Sequence, residues 1–241
     1  MSTPYDPRQY WETRLGRNFN LAGVGHMSLS EAYNAWLYRR KANTLTAVLS
    51  DQDLTGRTVL DLGSGTGFFV RWYASRGAVV TGVDITTISV ENLRRDFPSG
   101  RFVQADIGGE ELALGAEDGF DVINVWDVLY HIVDDDRFER ALRNAARCGR
   151  PGTRLIVSDV LAAAEPLVPA AHVKFRPLSA YQRVLPALGF QLRTLTPLYF
   201  LLNDVRQPDN EHRVAEYFER DEQRRLISST NLSAGCWVRE G

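Results

Sequence analysis

The stretch Val59-Leu60-Asp61-Leu62-Gly63-Ser64-Gly65-Thr66-Gly67 runs from apolar residues through an acid into three glycines at alternate positions. Glycines at this density let the chain turn tightly and let a ligand approach the main chain. The following residues, Phe68 to Ala74, read as a helix, so the loop presents free amide groups to whatever it holds. The spacing is neither the G-x-G-x-x-G of a dinucleotide site nor a phosphate loop, because no Lys follows the glycines. Asp61 would repel a phosphate but suits a cationic group such as an amine.

Further candidates recur at the ends of later apolar runs. Asp84, with Ile85 after it, closes the second run about twenty residues beyond Gly63, where an acid can accept hydrogen bonds from both hydroxyls of a ribose. Asp106 and Ile107 close the third. Val125 and Trp126 close the fourth, at the sheet edge where open α/β sheets bind ligands. Asp127-Val128-Leu129-Tyr130-His131-Ile132 follows directly. His131 is a candidate base for a hydroxyl or amine proton, Tyr130 could orient a substrate, and Asp127 adjoins both. The structural alternatives are a core aromatic at Trp126 and a loop-holding histidine at 131.

The D-x-G-x-G-x-G pattern between a strand and a helix resembles the first motif of the class I S-adenosylmethionine-dependent methyltransferases. The resemblance covers residues 54–162 by motif and the rest by order of elements. It implies S-adenosyl-L-methionine as cofactor, held by Asp61, Gly63, Gly65, Gly67, Asp84, Ile85, Asp106, Ile107, Val125 and Trp126. By the same resemblance Asp84 takes the ribose, Asp106 faces the adenine amine with Ile107 beside the ring, and Val125 and Trp126 meet the methionine portion. Many small-molecule members carry one or two histidines where Tyr130 and His131 stand. The implied activity is methyl transfer to an O, N or C nucleophile of a small-molecule metabolite, with natural-product biosynthesis as the expected setting. A cyclisation or rearrangement on the same fold, a macromolecular (RNA or protein) methyltransferase and a cofactor sensor are the alternatives. Asn124-Val125-Trp126-Asp127 stands where an N-P-P-[YF] motif of macromolecular enzymes would fall.

The elements that must position these residues alternate. Short apolar runs at Val59–Leu62, Ala78–Asp84, Arg101–Ile107, Phe120–Val125 and Arg154–Val160 read as strands with helices between them. This alternation predicts a mainly parallel α/β sheet. The resemblance extends it to a Rossmann-like three-layer sandwich, with a seven-stranded, mostly parallel sheet and an antiparallel last strand. Residues 1–53 are expected to form an N-terminal helical cap and residues 54–241 the cofactor-binding domain. In the cap, Tyr33, Trp36, Leu37, Tyr38, Thr44, Leu45 and Val48 recur at helical spacing, with Ser30, Asn34 and Arg39 on the exposed face. Tyr10, Trp11, Trp36 and Tyr38 with Arg14, Arg39, Arg40 and Lys41 suit a lid, since aromatic faces attract cations and an Arg can pair with a carboxylate. The third helix is expected to run from the acids Asp134 to Asp136 through Phe138, Leu142 and Ala145, closing at Gly149-Arg150-Pro151-Gly152. Beyond Leu161 the expectations are a Pro-rich stretch containing His172 and Lys174, a helix at Ser179–Leu188, a strand from Gln191 to Leu202, a charged helix over 210–226 and a last strand near Leu232–Val238.

Composition narrows the partners. With 241 residues, 44% of them hydrophobic, the chain can bury a substantial core. A net charge of −2 gives no basic field for nucleic acid. Cys148 and Cys236 are too few and too distant for a disulfide framework, and no histidine has a partner at metal-ligand spacing, so no metal is expected. No run of about 18 apolar residues suggests a membrane span, and residues 1–17 lack a signal-peptide core. The expectation is a cytoplasmic protein, monomer or homodimer, acting on a small molecule.

Overall fold

The computed structural model describes residues 5–109, 112, 114, 119–198, 215, 216, 219 and 227–241. Three helices come first: α1 (Pro7–Arg17), α2 (Leu21–Val24) and α3 (Glu31–Val48). Strands and helices then alternate as β1 (Thr58–Leu62), α4 (Phe68–Ala74), β2 (Val79–Asp84), α5 (Thr87–Asp96), β3 (Arg101–Gln104), β4 (Phe120–Val125), α6 (Asp135–Arg147) and β5 (Gly149–Asp159). A hairpin of β6 (Leu167–Ala170) and β7 (Val173–Phe175), a short α7 (Leu178–Gln182), β8 (Phe190–Pro197) and β9 (Ser233–Arg239) complete the order.

The seven-stranded sheet has the order β3-β2-β1-β4-β5-β9-β8. Strands β1 to β5 pair in parallel, and β9 runs antiparallel between β5 and β8. The chain steps outward from β1 to β3, then returns to the other side of β1 as β4. The carboxyl ends of β1 and β4 therefore diverge into a crevice, the place where such sheets bind ligands.

Alternation along each strand divides the core into two layers. Val59 packs with Tyr33, Leu37 and Leu45 of α3, Val70 and Tyr73 of α4 and Leu93 of α5. Leu60 and Leu62 face the opposite layer with Phe138 and Leu142 of α6 and Tyr181 of α7. Burial on both faces explains why these strands read as continuous apolar runs. The helix ends follow local chemistry. Asp6, Ser30, Thr86 and Asp134 each accept a hydrogen bond from a first-turn amide of α1, α3, α5 and α6.

Several details differ from the sequence reading. The glycine-proline cluster after α6 does not end the helix, which stops at Arg147; it opens β5, five residues earlier than expected, with a bulge between Phe120 and Val122. Asn34 is buried rather than exposed, because its amide accepts from His26 N and donates to the carbonyls of His26, Leu29 and Ser30. The Pro-rich stretch forms the β6–β7 hairpin, and the helix after it stops early, ahead of a 3-10 turn at Pro186–Leu188. The expected helix over 210–226 lies outside the described residues except at 215, 216 and 219, and the strand expected to Leu202 is described only as far as Leu198. Both cysteines are buried and unbonded, and burial pushes their thiols up to about 11. Among the described residues no helix is long and apolar enough to cross a membrane.

One buried guanidinium holds the crevice wall to the hairpin. Arg176 follows β7, and its side chain is 2% exposed. It donates to the carbonyls of Ile132 (2.9 Å) and Val133 (3.2 Å), to Asp135 Oδ1 (2.9 Å from Nη2) and lies 4.1 Å over the Phe138 ring. These carbonyls belong to the segment that carries His131. Arg176→Ala leaves them without a donor, so it should cost about 3 kcal/mol of stability by urea denaturation. Arg176→Lys should recover only a minor part, because one ammonium cannot span the same acceptors.

Candidate functional site

The turn from β1 into α4 forms the floor of a cavity. Gly63, Gly65 and Gly67 all have left-handed backbones, with φ of 80°, 50° and 79°. A Cβ on Gly63 would lie 2.2 Å from Val128 Cγ2, so only glycine fits against the segment after β4. The cavity is walled by Gly63, Ser64, Gly65 and Thr66, by Asp84 and Ile85, by Asp106 and Ile107, and by Trp126, Asp127 and His131. Thus seven of the ten expected cofactor contacts meet in one place, although they come from four strand ends. The other three lie elsewhere. Val125 points into the core, Gly67 caps α4, and Asp61 is buried beneath the loop with Asn124 Nδ2 donating to its Oδ1 (2.7 Å).

Asp84 ties two strand ends together. Its Oδ2 accepts from Gly65 N (2.8 Å) and its Oδ1 from Thr86 N (2.9 Å) and Thr86 Oγ1 (2.7 Å). Burial raises its pKa, with those donors opposing. At the neighbouring strand end Asp106 accepts from Gly108 N (2.9 Å) and forms an ion pair with Arg137 of α6. Arg137 also lines the cavity and carried no signal in the sequence.

Asp127 is the only non-glycine residue with positive φ among the described residues, at 59°. Asp tolerates that conformation better than most side chains. Its amide donates to Ser158 Oγ (2.8 Å), which donates in turn to its Oδ1 (2.8 Å), and Lys41 Nζ pairs with its Oδ2. Burial would raise its pKa, but Lys41, Ser158 and Tyr130 hold it below the usual carboxylate range. Lys41 is likewise held charged: burial pushes its pKa down, and Asp127 more than reverses that. Oδ2 of Asp127 therefore joins the end of β4 to α3, and Oδ1 joins it to β5.

The N-terminal helices roof the cavity with Tyr5, Pro7, Trp11, Leu15, Val24 and Tyr38. Of the expected lid residues, Trp11 and Tyr38 face it. Trp36 instead stacks with Arg39, whose guanidinium lies 4.8 Å from its ring, and Arg40 is buried with Nη2 on Leu198 O (3.3 Å). Arg14 donates to the carbonyls of Gly23 (2.6 Å) and Gly25 (2.5 Å), so it ties α1 to the C-terminal end of α2. Glu12, which no motif marked, docks α1 by accepting from Thr87 N (2.9 Å) and Ile88 N (3.3 Å) at the start of α5.

His131 stands in the wall opposite the glycine loop. Burial lowers its pKa to about 4, with a hydrogen bond to the His172 carbonyl opposing, so the ring is neutral near pH 7. Its Nδ1 lies 2.9 Å from that carbonyl. A carbonyl only accepts, so Nδ1 carries the hydrogen and Nε2 keeps its lone pair. Tyr130 does not line the cavity; its ring packs on His131 (4.6 Å) and Phe175 (4.8 Å). His172 was not resolved as a site residue by sequence, and the hairpin brings it here. Among the described residues no group of three His, Cys, Asp or Glu side chains could hold a metal ion.

Residues 33–233 match the profile of a methyltransferase domain. The chain belongs to the class I S-adenosylmethionine-dependent methyltransferase family. A ubiquinone biosynthesis O-methyltransferase of Alkalilimnicola ehrlichii is 34% identical over 109 residues, covering 44% of this chain and 43% of that protein. The corresponding protein of Pseudomonas syringae pv. tomato is 33% identical over 111 residues, covering 45% and 46%. The chain thus spans less than half the length of these curated relatives. Among solved structures, magnesium protoporphyrin IX methyltransferase from Synechocystis PCC 6803, crystallised with bound SAM, shares the fold at a TM-score of 0.66 with 18% identity over the whole of both chains. A (4+2) cyclase shares it at 0.56 with 17% identity, covering 81% of this chain and 80% of its own. The expected sandwich, its seven strands and its antiparallel last strand are all present. S-adenosylmethionine is the cofactor of the family.

Asp61 makes the site's electrostatics testable. Burial pushes its carboxyl up to about 7, with the Asn124 amide opposing. An unfolded aspartate titrates near 3.9, so the folded form holds an extra proton between about pH 4 and 7. Its stabilising contribution is complete below that window and is lost as pH rises through it. Asp61→Asn should therefore gain on the wild type as pH rises from 5 to 8, with the Tm difference widening by roughly 5 °C.

Proposed function

We propose that this chain transfers a methyl group from S-adenosylmethionine to a hydroxyl of a small molecule with an apolar body. The observation that carries this reading is the neutral His131, with its lone pair on Nε2, in the wall of the cavity that holds Asp84 and the glycine loop. The cradle suits the cofactor. Gly63 and Gly65 line the cavity floor, and the tight packing of Val128 and Val24 against them fixes the turn that a bound cofactor would rest on. Asp84 is placed to accept from ribose hydroxyls, and Ile85 and Ile107 offer apolar faces to a purine. Asp106 and Arg137 stand together at that end, where the carboxylate would meet the adenine amine. Trp126 forms part of the wall nearest the methionine portion.

The cofactor supplies an activated methyl group on an excellent leaving group, so the protein's tasks are orientation and exclusion of water. Trp11, Tyr38 and Phe68 roof the cavity against solvent. Residues 1–53 act in this reading as the cap, with Lys41 and Asp127 as its inner fastening. His131 Nε2 accepts the hydroxyl hydrogen and takes the proton as the oxygen is methylated. Tyr130 supports His131 from behind. Histidine's low basicity here keeps it unprotonated, and ready to accept, at any pH above about 5. The likeness to ubiquinone biosynthesis O-methyltransferases supports an oxygen acceptor, and the small net charge supports a metabolite over a nucleic acid.

Incubation with methyl-labelled cofactor and a panel of hydroxylated metabolites, read by mass spectrometry, should show the gain of one methyl. Cofactor binding without a labelled product from any acceptor would count against this reading and favour a cyclisation. Asp84→Ala should weaken cofactor affinity by roughly tenfold or more in calorimetry, with the fold retained. His131→Gln should lower turnover by roughly a hundredfold while leaving that affinity within about twofold.

A further inference from the structure

We propose that Tyr10 and His172 are positioning residues that set the tautomer of His131, so that docking of α1 arms the acceptor side of the site. This rests on the methyl-transfer reading for its purpose, but the arrangement itself is a matter of donors and acceptors.

Arginine can only donate, so Arg14 Nη1 donates to Tyr10 Oη (3.0 Å). The Tyr10 hydroxyl also lies within hydrogen-bond distance of His172 Nε2, 3.2 Å away. The Tyr10 and His172 rings also stack at 4.7 Å, 28° from parallel. His172 lies in the turn between β6 and β7, and its backbone carbonyl is the acceptor of His131 Nδ1–H. The two imidazoles lie within 3° of parallel at 5.8 Å. One residue therefore grips α1 through its side chain and His131 through its main chain. Trp11 of α1 closes the arrangement edge-on against His131 at 4.9 Å.

The direction of each bond matters. With the carbonyl of residue 172 held, His131 must protonate Nδ1 and expose a basic Nε2. With the hairpin turn released, the carbonyl drifts and the ring is free to place its hydrogen on either nitrogen. A ring protonated at Nε2 would point a donor at the acceptor hydroxyl instead of a lone pair. Glu12 strengthens the coupling from the other side, because its carboxylate docks α1 on the first turn of α5. The N-terminal segment thus roofs the cavity and holds the partner of His131 through the same docked position.

The test reads the imidazole nitrogens of the isotope-labelled full chain by NMR. The charged and titratable groups around His131 are Arg14 from α1, Asp127 from the end of β4 and His172 from the hairpin, with Tyr130 beside it. In the wild type, Nδ1 should give a protonated shift and Nε2 a lone-pair shift. Tyr10→Phe and His172→Ala should each move both shifts toward the average by about half of the gap between the forms, and the double variant should add nothing further. Both substitutions keep the residue 172 carbonyl, so circular dichroism should be unchanged. A wild-type ring protonated at Nε2, or variants with wild-type shifts, would overturn the proposal. So would a parallel collapse of cofactor affinity in the variants, which would indicate general loosening of α1. Absence of cofactor binding in the wild type would instead sink the methyl-transfer reading and leave the tautomer measurement to stand on its own.

Discussion

The chain must leave β1 and enter α4 within five residues, and its amides do not stay free as the glycine spacing suggested: those of Gly63 and Ser64 bond to Val83 O, that of Gly65 to Asp84 and that of Gly67 to Ser64 O. That reversal needs positive φ at Gly63, Gly65 and Gly67, and it brings Gly63 so close to Val128 that no Cβ fits. The segment after β4 can then close over the loop, and Asp84 can reach across to the amide of Gly65. Four strand ends converge because this one turn is tight. Sheet order supplies the crevice; the glycines make it narrow enough to be a site.

Around that turn, charge is used to join parts distant in sequence. Lys41 and Asp127 fasten α3 to the end of β4, Glu12 fastens α1 to α5, and Arg176 fastens the hairpin to the His131 segment. Lys41 and Asp127 meet each other and Arg176 meets several carbonyls and Asp135, which is the condition for a buried ion to be tolerated. Among the described residues, Asp61 is the carboxylate left with a buried oxygen, Oδ2, that has no hydrogen-bond partner. It answers by holding its proton up to about pH 7. The site thus separates two kinds of acid: Asp127, kept ionised by a cation, and Asp61, kept near neutrality by burial.

The histidines follow the same logic in reverse. Burial pushes His26 and His131 each down to about 4, so both are neutral where carboxylates such as Asp127 are charged. His26 sits against Tyr33 within the cap, whereas His131 faces the cavity. Their pKa values are alike, and only position separates a ring packed within the cap from one that lines the cavity.

What the residue order determined was everything governed by local rules. Strand alternation, left-handed glycines, capping acids and the acids at the ends of β2 and β3 all act within a few residues, so their spacing is readable. The family membership and the sheet followed from them, as did most of the cavity floor. The β6–β7 hairpin, the burial of Asn34 and the true start of β5 were missed, since each depends on what packs against it rather than on its own pattern. The lid was legible only as a collection of aromatics and arginines. Which of them line the cavity was decided by tertiary packing, which turns Trp11 and Tyr38 toward it and pairs Tyr10 with His172, 162 residues apart. A tyrosine or histidine carries the same intrinsic propensity whether or not its partner lies across the fold. Only tertiary packing brings such groups within hydrogen-bond reach.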